Sequence, residues 1–337
     1  MSEPRTPSAG DRSSADTGLL LDETAVPGTG GGRAESDAVA HAAAPGHGTD
    51  GAAELRQASL WSDAWRQLRR NKLFLVAASL LTVLAVMAAF PQLFTSQGPI
   101  EGCALSQSKI GPSGDAWFGY DIFGCDYYTN VIYGARVSMI IGLVVMGGAM
   151  VIGVFLGALA GYFGGWFDLL VARLTDIVYG LPLILGAILI LNSFTDRGLP
   201  QVALALIALS WMTFLRLFRS SVVAIKDSDY VAAARSMGAR DSRIILKHIL
   251  PNAIAPVLVY ATIFVGGIIA AEATLSFLGI GLQLPAISWG LQINSGQRLL
   301  RTAPHIIFFP SLFLSVTVLS FILLGDALRD ALDPKLR

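Results

Sequence analysis

VSMIIGLVVMGGAMVIGVFLGALAGY, residues 137–162, carries no charged and no amide side chain. Spanning the hydrocarbon core of a bilayer takes roughly 20 apolar residues in a helix, and this stretch supplies them without a break. Buried β-strands would be shorter and more often punctuated by turn residues. The stretch therefore reads as a transmembrane helix.

Five further runs of the same kind surround it: Leu73 to Phe90, about Leu170 to Ser193, Pro200 to about Val222, about Ile254 to Phe277, and about Ile306 to Leu324. Each lies close to the length a span requires. The whole chain of 337 residues is 53% hydrophobic and only 14% charged, against roughly 25% charged in a soluble domain. Net charge is zero, so nothing points to nucleic acid. The expected fold is an all-α integral membrane protein: six transmembrane helices, an interfacial N-terminal helix and a short cytoplasmic helix between spans four and five.

The expected domain order follows from composition. Residues 1–57, rich in Ala, Gly, Ser, Asp and Pro, show no apolar periodicity and predict a disordered cytoplasmic tail. No basic start leads directly into an apolar core, so the segment does not read as a secretory signal. Over 58–72, Leu60, Trp61, Ala64, Trp65 and Leu68 share one helical face beside Arg66, Arg69 and Arg70, the pattern of an amphipathic helix at the membrane surface. A helix packed on protein is the alternative. The span region is 73–337, with a loop over 91–136 and a structured connection over 226–251.

Basic residues set the expected orientation. Arg66, Arg69, Arg70 and Lys72 precede the first span, and Lys226, Arg235, Arg240, Arg243 and Lys247 occupy the connection between spans four and five. With six spans both segments lie on one side, which the positive-inside rule makes cytoplasmic, so both termini are expected there. Cys103 and Cys125 then share the external 91–136 loop, where an oxidising compartment permits a disulfide; two free thiols is the alternative. Charged residues lie within spans: Arg173 and Asp176, spaced to pair locally, Arg216 and Arg219 near the end of the fourth, and Glu272, without an obvious local partner. Intramembrane charge marks a functional candidate. Glu272 could face a translocation path, pair with another subunit, or be structural.

The 226–251 connection reads KDSDYVAAARSMG, then ARDSRIILKHILP. Locally this predicts a helix–turn–helix. Asp227, Ser228 or Asp229 can cap the first helix, Gly238 can end it in a left-handed turn, and Asp241 or Ser242 can cap the second. Ala232, Ala233 and Ala234 would give the first helix a smooth face that another protein could approach closely.

This connection resembles the EAA loop of ATP-binding cassette (ABC) importer permeases. That pattern is Glu-Ala-Ala, three residues, Gly, then Leu-Pro after a further stretch, and Ala233, Ala234, Gly238, Leu250 and Pro251 stand at the matching places. Ala232 stands where the family has Glu, and His248 where it has Ile; Arg235 or Arg240 would then take over the role of the missing Glu. Phe118 to Asp121, Gly124 to Asp126, Tyr133 to Ser138, Leu275 to Gly281, Ser288 to Gly290 and Leu324 to Pro334 resemble, in the same order, the C-type subunit of dipeptide and oligopeptide permeases.

The resemblance implies a bacterial cytoplasmic-membrane permease that forms half of a path for di- or oligopeptides. Its implied partners are a second permease subunit, two cytoplasmic ATPases seated on the 226–251 loop, and an extracytoplasmic substrate-binding protein. ATP and Mg would be used by the ATPases, and no cofactor is expected in this chain: it has no Gly-x-x-x-x-Gly-Lys-Ser/Thr and no Gly-Lys pair. An ion-coupled transporter would commonly show an internal repeat, and none is evident. No Gly-x-Ser-x-Gly or His-Glu-x-x-His suggests an enzyme.

Overall fold

The computed structural model describes residues 65–332. The predicted tail over 1–57, residues 58–64 of the predicted interfacial helix, and Asp333 and Pro334 lie outside the described residues. Among those described there is no β-strand, only one isolated bridge between Tyr120 and Asp126. Five helices are long and apolar enough to cross a membrane: α1 (Lys72–Ala89), α2 (Tyr127–Phe163), α5 (Leu199–Ile225), α7 (Ala255–Phe277) and α9 (His305–Leu332). Where the third span is expected lies a bent pair, α3 (Gly165–Tyr179) and α4 (Leu183–Leu191), whose axes differ by 86°; taken together as one span it brings the number to six. Short helices α6 (Asp229–Ser236) and α8 (Trp289–Gly296) sit in the connections.

The third span is thus not the continuous helix the hydropathy predicts. Pro182 has no N–H to donate and disfavours a helical conformation at Leu181, so the helix must stop there. Gly180 N–H closes α3 on the Asp176 and Ile177 carbonyls, and α4 starts afresh after Pro182.

α2 differs too. It begins at Tyr127, where the Asp126 carboxylate accepts from Thr129 N–H at 2.9 Å, so the loop that starts at 91 ends near 126 rather than 136. With 37 residues, α2 is about 55 Å long. Its first turns read as loop because Asn130, Tyr133 and Arg136 are polar, yet Tyr127, Val131, Ile132 and Ala135 bury their side chains against other elements. Arg136 turns back to donate to the Ala88 and Ala89 carbonyls, both at 3.1 Å, closing the end of α1.

α2 is the axis of the bundle. Its residues enter all three large apolar clusters: one with α1, α8 and α9, one with α4, α5 and α7, and one with α5, the 226–251 connection and the start of α7. Against α5 the contact runs along Gly153, Gly157 and Gly161, one per turn. A Cβ on Gly153 would stand 2.5 Å from Phe214 Cβ and 2.6 Å from the Trp211 carbonyl oxygen; on Gly157 it would stand 2.7 Å from the Leu215 oxygen. Small residues at this spacing let two helix backbones touch, which in lipid replaces the hydrophobic drive that water supplies elsewhere.

Charged pairs complete the third span's attachment. Arg219 of α5 binds both carboxylate oxygens of Asp168 on α3. Asp176 pairs with Arg173 at 3.8 Å, the local pair expected, and also accepts from Arg216 of α5 at 2.8 Å, a closer cross-helix partner. The Arg216 guanidinium is held in place by stacking over Tyr179, 4.2 Å from its ring centre.

The loop before α2 folds back on itself. Cys103 and Cys125 form the disulfide that their shared loop permits. Ala104 N–H donates to the Gly124 carbonyl, and Lys109 N–H to that of Asp121. Burial pushes the Asp121 carboxyl above its ordinary value, against the pull of the Cys125, Phe123 and Gly124 backbone. Residues 65–68 are helical and end in a turn; Asn71 then caps α1 by accepting from Leu73 N–H at 2.9 Å, and Lys72 already belongs to α1. Leu68 is buried with Ala327 and Ala331 of α9, while Trp65 is 51% exposed, so this end of the amphipathic segment touches both protein and surroundings.

The glycine contact yields a direct test. Gly157→Leu should separate α2 from α5 at a cost of roughly 1–3 kcal/mol. It should be read as an earlier thermal transition and a lower yield of monodisperse protein in detergent. Gly147→Ala, whose new Cβ meets nothing within 4 Å, should behave as the parent does.

Candidate functional site

The 226–251 connection is built as a helix, a left-handed stop and a second helix. Ser228 occupies the N-cap of α6, but its hydroxyl donates back to the Ile225 carbonyl instead of capping the new helix. Gly238 has φ of 78°. Its N–H donates to the Arg235 carbonyl and the Ala239 N–H to that of Ala234, the paired bonds of a Schellman stop. The second helix is capped at Arg240, not at Asp241 or Ser242. Asp241 instead accepts from the Tyr162 hydroxyl at 2.7 Å, tying the connection to the end of α2.

The next turns contain a π-helical segment, Ile244–Ile249. Leu250 N–H reaches back five residues to the Ile245 carbonyl. Pro251 has no N–H to give to the preceding turn, and Asn252 donates its side-chain N–H to His248 O at 2.7 Å. The wider turn aims Ile244 and Ile249 into the core beside Phe218, Val222, Val231 and Ala234, with Leu250 half-buried against them.

The three alanines do not share one outer face. Ala234 is buried with Val231 against the bundle, whereas Ala232 and Ala233 are exposed. Helical spacing puts Tyr230, Ala233 and Met237 together instead, at i, i+3 and i+7. Tyr230 is 43% and Met237 81% exposed, and Leu246 on the second helix is 65% exposed. Sequence reading missed these three because it weighed the alanine run rather than the face. The signal was their spacing. Arg235 lies over the Tyr162 ring, 5.9 Å from its centre, whereas Arg240 is exposed and makes no ion pair among the described residues. Exposed Arg243 and Lys247 extend the basic rim, and exposed Pro251 closes the segment.

Glu272 occupies a different kind of place. It is fully buried, so in this conformation it faces no open path. Oε1 accepts from Ser276 at 2.8 Å and from Ser288 at 3.1 Å, while Oε2 has no partner. Ser288 is the N-cap of α8 and accepts from Leu291 N–H; Ser276 accepts from Leu282 N–H. One carboxylate thus fixes the turn after α7 and the start of α8. α8 is then tied to α2 through Trp289 Nε1–H to Val131 O and Gln292 Nε2–H to Asn130 O. Ser276 stands at the i+4 position of the same helix and was within reach of a local reading, whereas Ser288, sixteen positions on and past the end of α7, was not. Among the described residues no group of His, Cys, Asp or Glu could hold a metal ion.

Residues 153–337 match the family described as binding-protein-dependent transport system inner membrane component. Residues 59–102 match the N-terminal transmembrane domain of oligopeptide transport permease C. The dipeptide transport system permease protein DppC of Alkalihalophilus pseudofirmus is 38% identical over 83% of this chain and 91% of its own length. The oligopeptide transport system permease protein OppC of Bacillus subtilis is 37% identical over 83% of this chain and 91% of its own. The glutathione transport system permease protein GsiD of Pectobacterium atrosepticum is 36% identical over 82% of this chain and 92% of its own.

The connection's geometry separates inward from outward positions. Gly238→Val must hold a β-branched residue at a positive φ, at a cost of about 1–2 kcal/mol, and Ala234→Leu must force a larger side chain into packed core. Both should speed tryptic cleavage around Arg235, Arg240 and Arg243 in the membrane-embedded protein. Gly238→Asn and Ala233→Leu should be cleaved at the parent rate.

Proposed function

We infer what this chain does from the premise that it belongs to the binding-protein-dependent transport system inner membrane components: it is a multi-pass inner-membrane permease of an ABC importer in the dipeptide, oligopeptide and glutathione group. It is a transport subunit and not an enzyme. On our reading it forms half of a path for small peptides together with a second permease subunit. An extracytoplasmic binding protein delivers the cargo, and two cytoplasmic ATPases, which carry the ATP and Mg, drive the cycle. The names of the relatives support the peptide class of cargo.

The observation that carries the coupling role is the face of Tyr230, Ala233 and Met237 on α6, apolar and unpartnered among the described residues, rimmed by Arg240, Arg243 and Lys247. A surface of that kind marks a protein contact. Behind it, Val231, Ala234, Ile244 and Ile249 are packed into the cluster that also holds α5 and the start of α7. A push on α6 is therefore passed to three spans, since the Tyr162–Asp241 hydrogen bond adds α2. Packed cores switch between arrangements rather than stretching, so such a push can convert to a change of access. The basic residues before α1 and in this connection support a cytoplasmic position for both, which places the 91–126 loop and its disulfide outside.

Met237→Glu and Ala233→Trp should insert normally yet lower co-purification of the ATPases about tenfold or more, with a matching loss of ATP-dependent peptide uptake in proteoliposomes. Parent-level uptake and ATPase binding in both variants would remove the coupling role. For orientation, a membrane-impermeant thiol reagent should label Cys103 and Cys125 of intact cells once they are reduced. Labelling only after lysis would reverse the topology.

A further inference from the structure

An apolar groove of about 620 Å³ runs between α1, α2 and α9, lined by Phe74, Ala78, Leu81, Ala85, Met139 and Leu328, among others. At one end it is closed by Trp65 and Leu68. Trp65 also lines a second cavity of about 380 Å³, whose other walls are Arg66, Arg69 and Arg70. The groove and the basic cavity therefore meet at one indole ring. The Arg69 guanidinium stacks over that ring, 4.7 Å from its centre, which holds one cation at the junction.

Charge is one-sided here. Residues 65–72 hold Arg66, Arg69, Arg70 and Lys72 and no acid, and none of these four pairs with a carboxylate among the described residues. Asp326 and Asp330, on the neighbouring end of α9, are exposed and form no ion pair with them. Along α1, the groove from Phe74 to Ala85 covers about 16 Å, the depth of one leaflet of a hydrocarbon core of about 30 Å. An amphipathic ring, arginines with no carboxylate partner among the described residues and an apolar slot beside them match one ligand class.

We propose that the groove and the arginine cavity at its mouth form a binding site for an anionic phospholipid. One acyl chain fills the slot between α1, α2 and α9, and the headgroup phosphate is bound by Arg66 and Arg70 beside the stacked Arg69. Guanidinium groups suit phosphate because they offer paired N–H donors in one plane. Basic pockets between transmembrane helices at the headgroup level retain anionic lipids for this reason. The site goes beyond the coupling role: it uses none of the residues of the 226–251 connection, and either reading can fail alone.

The test is native mass spectrometry of the full-length protein from vesicles of equal parts phosphatidylglycerol and phosphatidylcholine with identical acyl chains. The parent should retain phosphatidylglycerol over phosphatidylcholine by at least about fivefold. Arg66→Gln/Arg69→Gln/Arg70→Gln should bring that ratio to parity, while Arg240→Gln/Arg243→Gln/Lys247→Gln, which removes as many positive charges away from the groove, should leave it unchanged. Ala85→Trp, with the arginines intact, should lower retention of both lipids. All variants must elute as the parent does on size exclusion. Parity in the parent, an unchanged ratio in the triple arginine variant, or undiminished retention in Ala85→Trp would each overturn the site.

Discussion

Backbone contact between α2 and α5 is the constraint on which the other helices depend. Gly153, Gly157 and Gly161 present no side chain, so Trp211, Leu215 and Arg219 of α5 can come against the α2 backbone itself. In lipid the apolar surface of a helix gains nothing by leaving its solvent, so close packing has to supply what hydrophobic burial supplies in water. Once the two are in contact, Arg219 and Arg216 lie opposite Asp168 and Asp176, and the broken third span is attached to the pair. α7 then covers the same axis from the other side, where Gly142 meets Ile269 and Val265.

Polar groups are distributed according to the same logic. A backbone amide or a carboxylate without a partner costs several kcal/mol in hydrocarbon, so buried polar groups are drawn together, Glu272 Oε2 being left over. Arg136 closes the carbonyls at the end of α1, Tyr127 donates its hydroxyl to Ile306 O, and Glu272 gathers Ser276 and Ser288. These bonds concentrate where α1, α8, α9 and the long first turns of α2 converge. The opposite end is held by apolar packing, by the Tyr162–Asp241 bond and by the Arg219–Asp168 and Arg216–Asp176 pairs.

The two faces of α6 differ in burial. Val231 and Ala234 look inward and are packed in the core, while Tyr230, Ala233 and Met237 are exposed. The Schellman stop at Gly238 keeps this short helix from running on into the second one, so its outer face keeps a defined angle to the bundle. Proximity of Arg235 to Tyr162 removes that arginine from the outer rim and leaves Arg240 as its exposed neighbour.

Sequence alone determined the spans, because a span is a property of consecutive residues: hydropathy over about 20 positions needs no knowledge of neighbours. It also determined the left-handed stop at Gly238, the composition of the 226–251 connection and the shared loop of Cys103 and Cys125, all local features. Pro182 was visible, yet whether a proline kinks or breaks a helix depends on what the neighbours allow, and the 86° bend belongs to the folded state. The N-terminal extension of α2 was hidden because its polar side chains resemble loop until the face opposite them is packed. The pairing of Asp176 with Arg216 and of Glu272 with Ser288, the inward turn of Ala234, and the meeting of the apolar groove with Arg66, Arg69 and Arg70 were decided only by tertiary structure. Each depends on separate elements coming together, and a pattern along one chain carries no record of which faces meet across space.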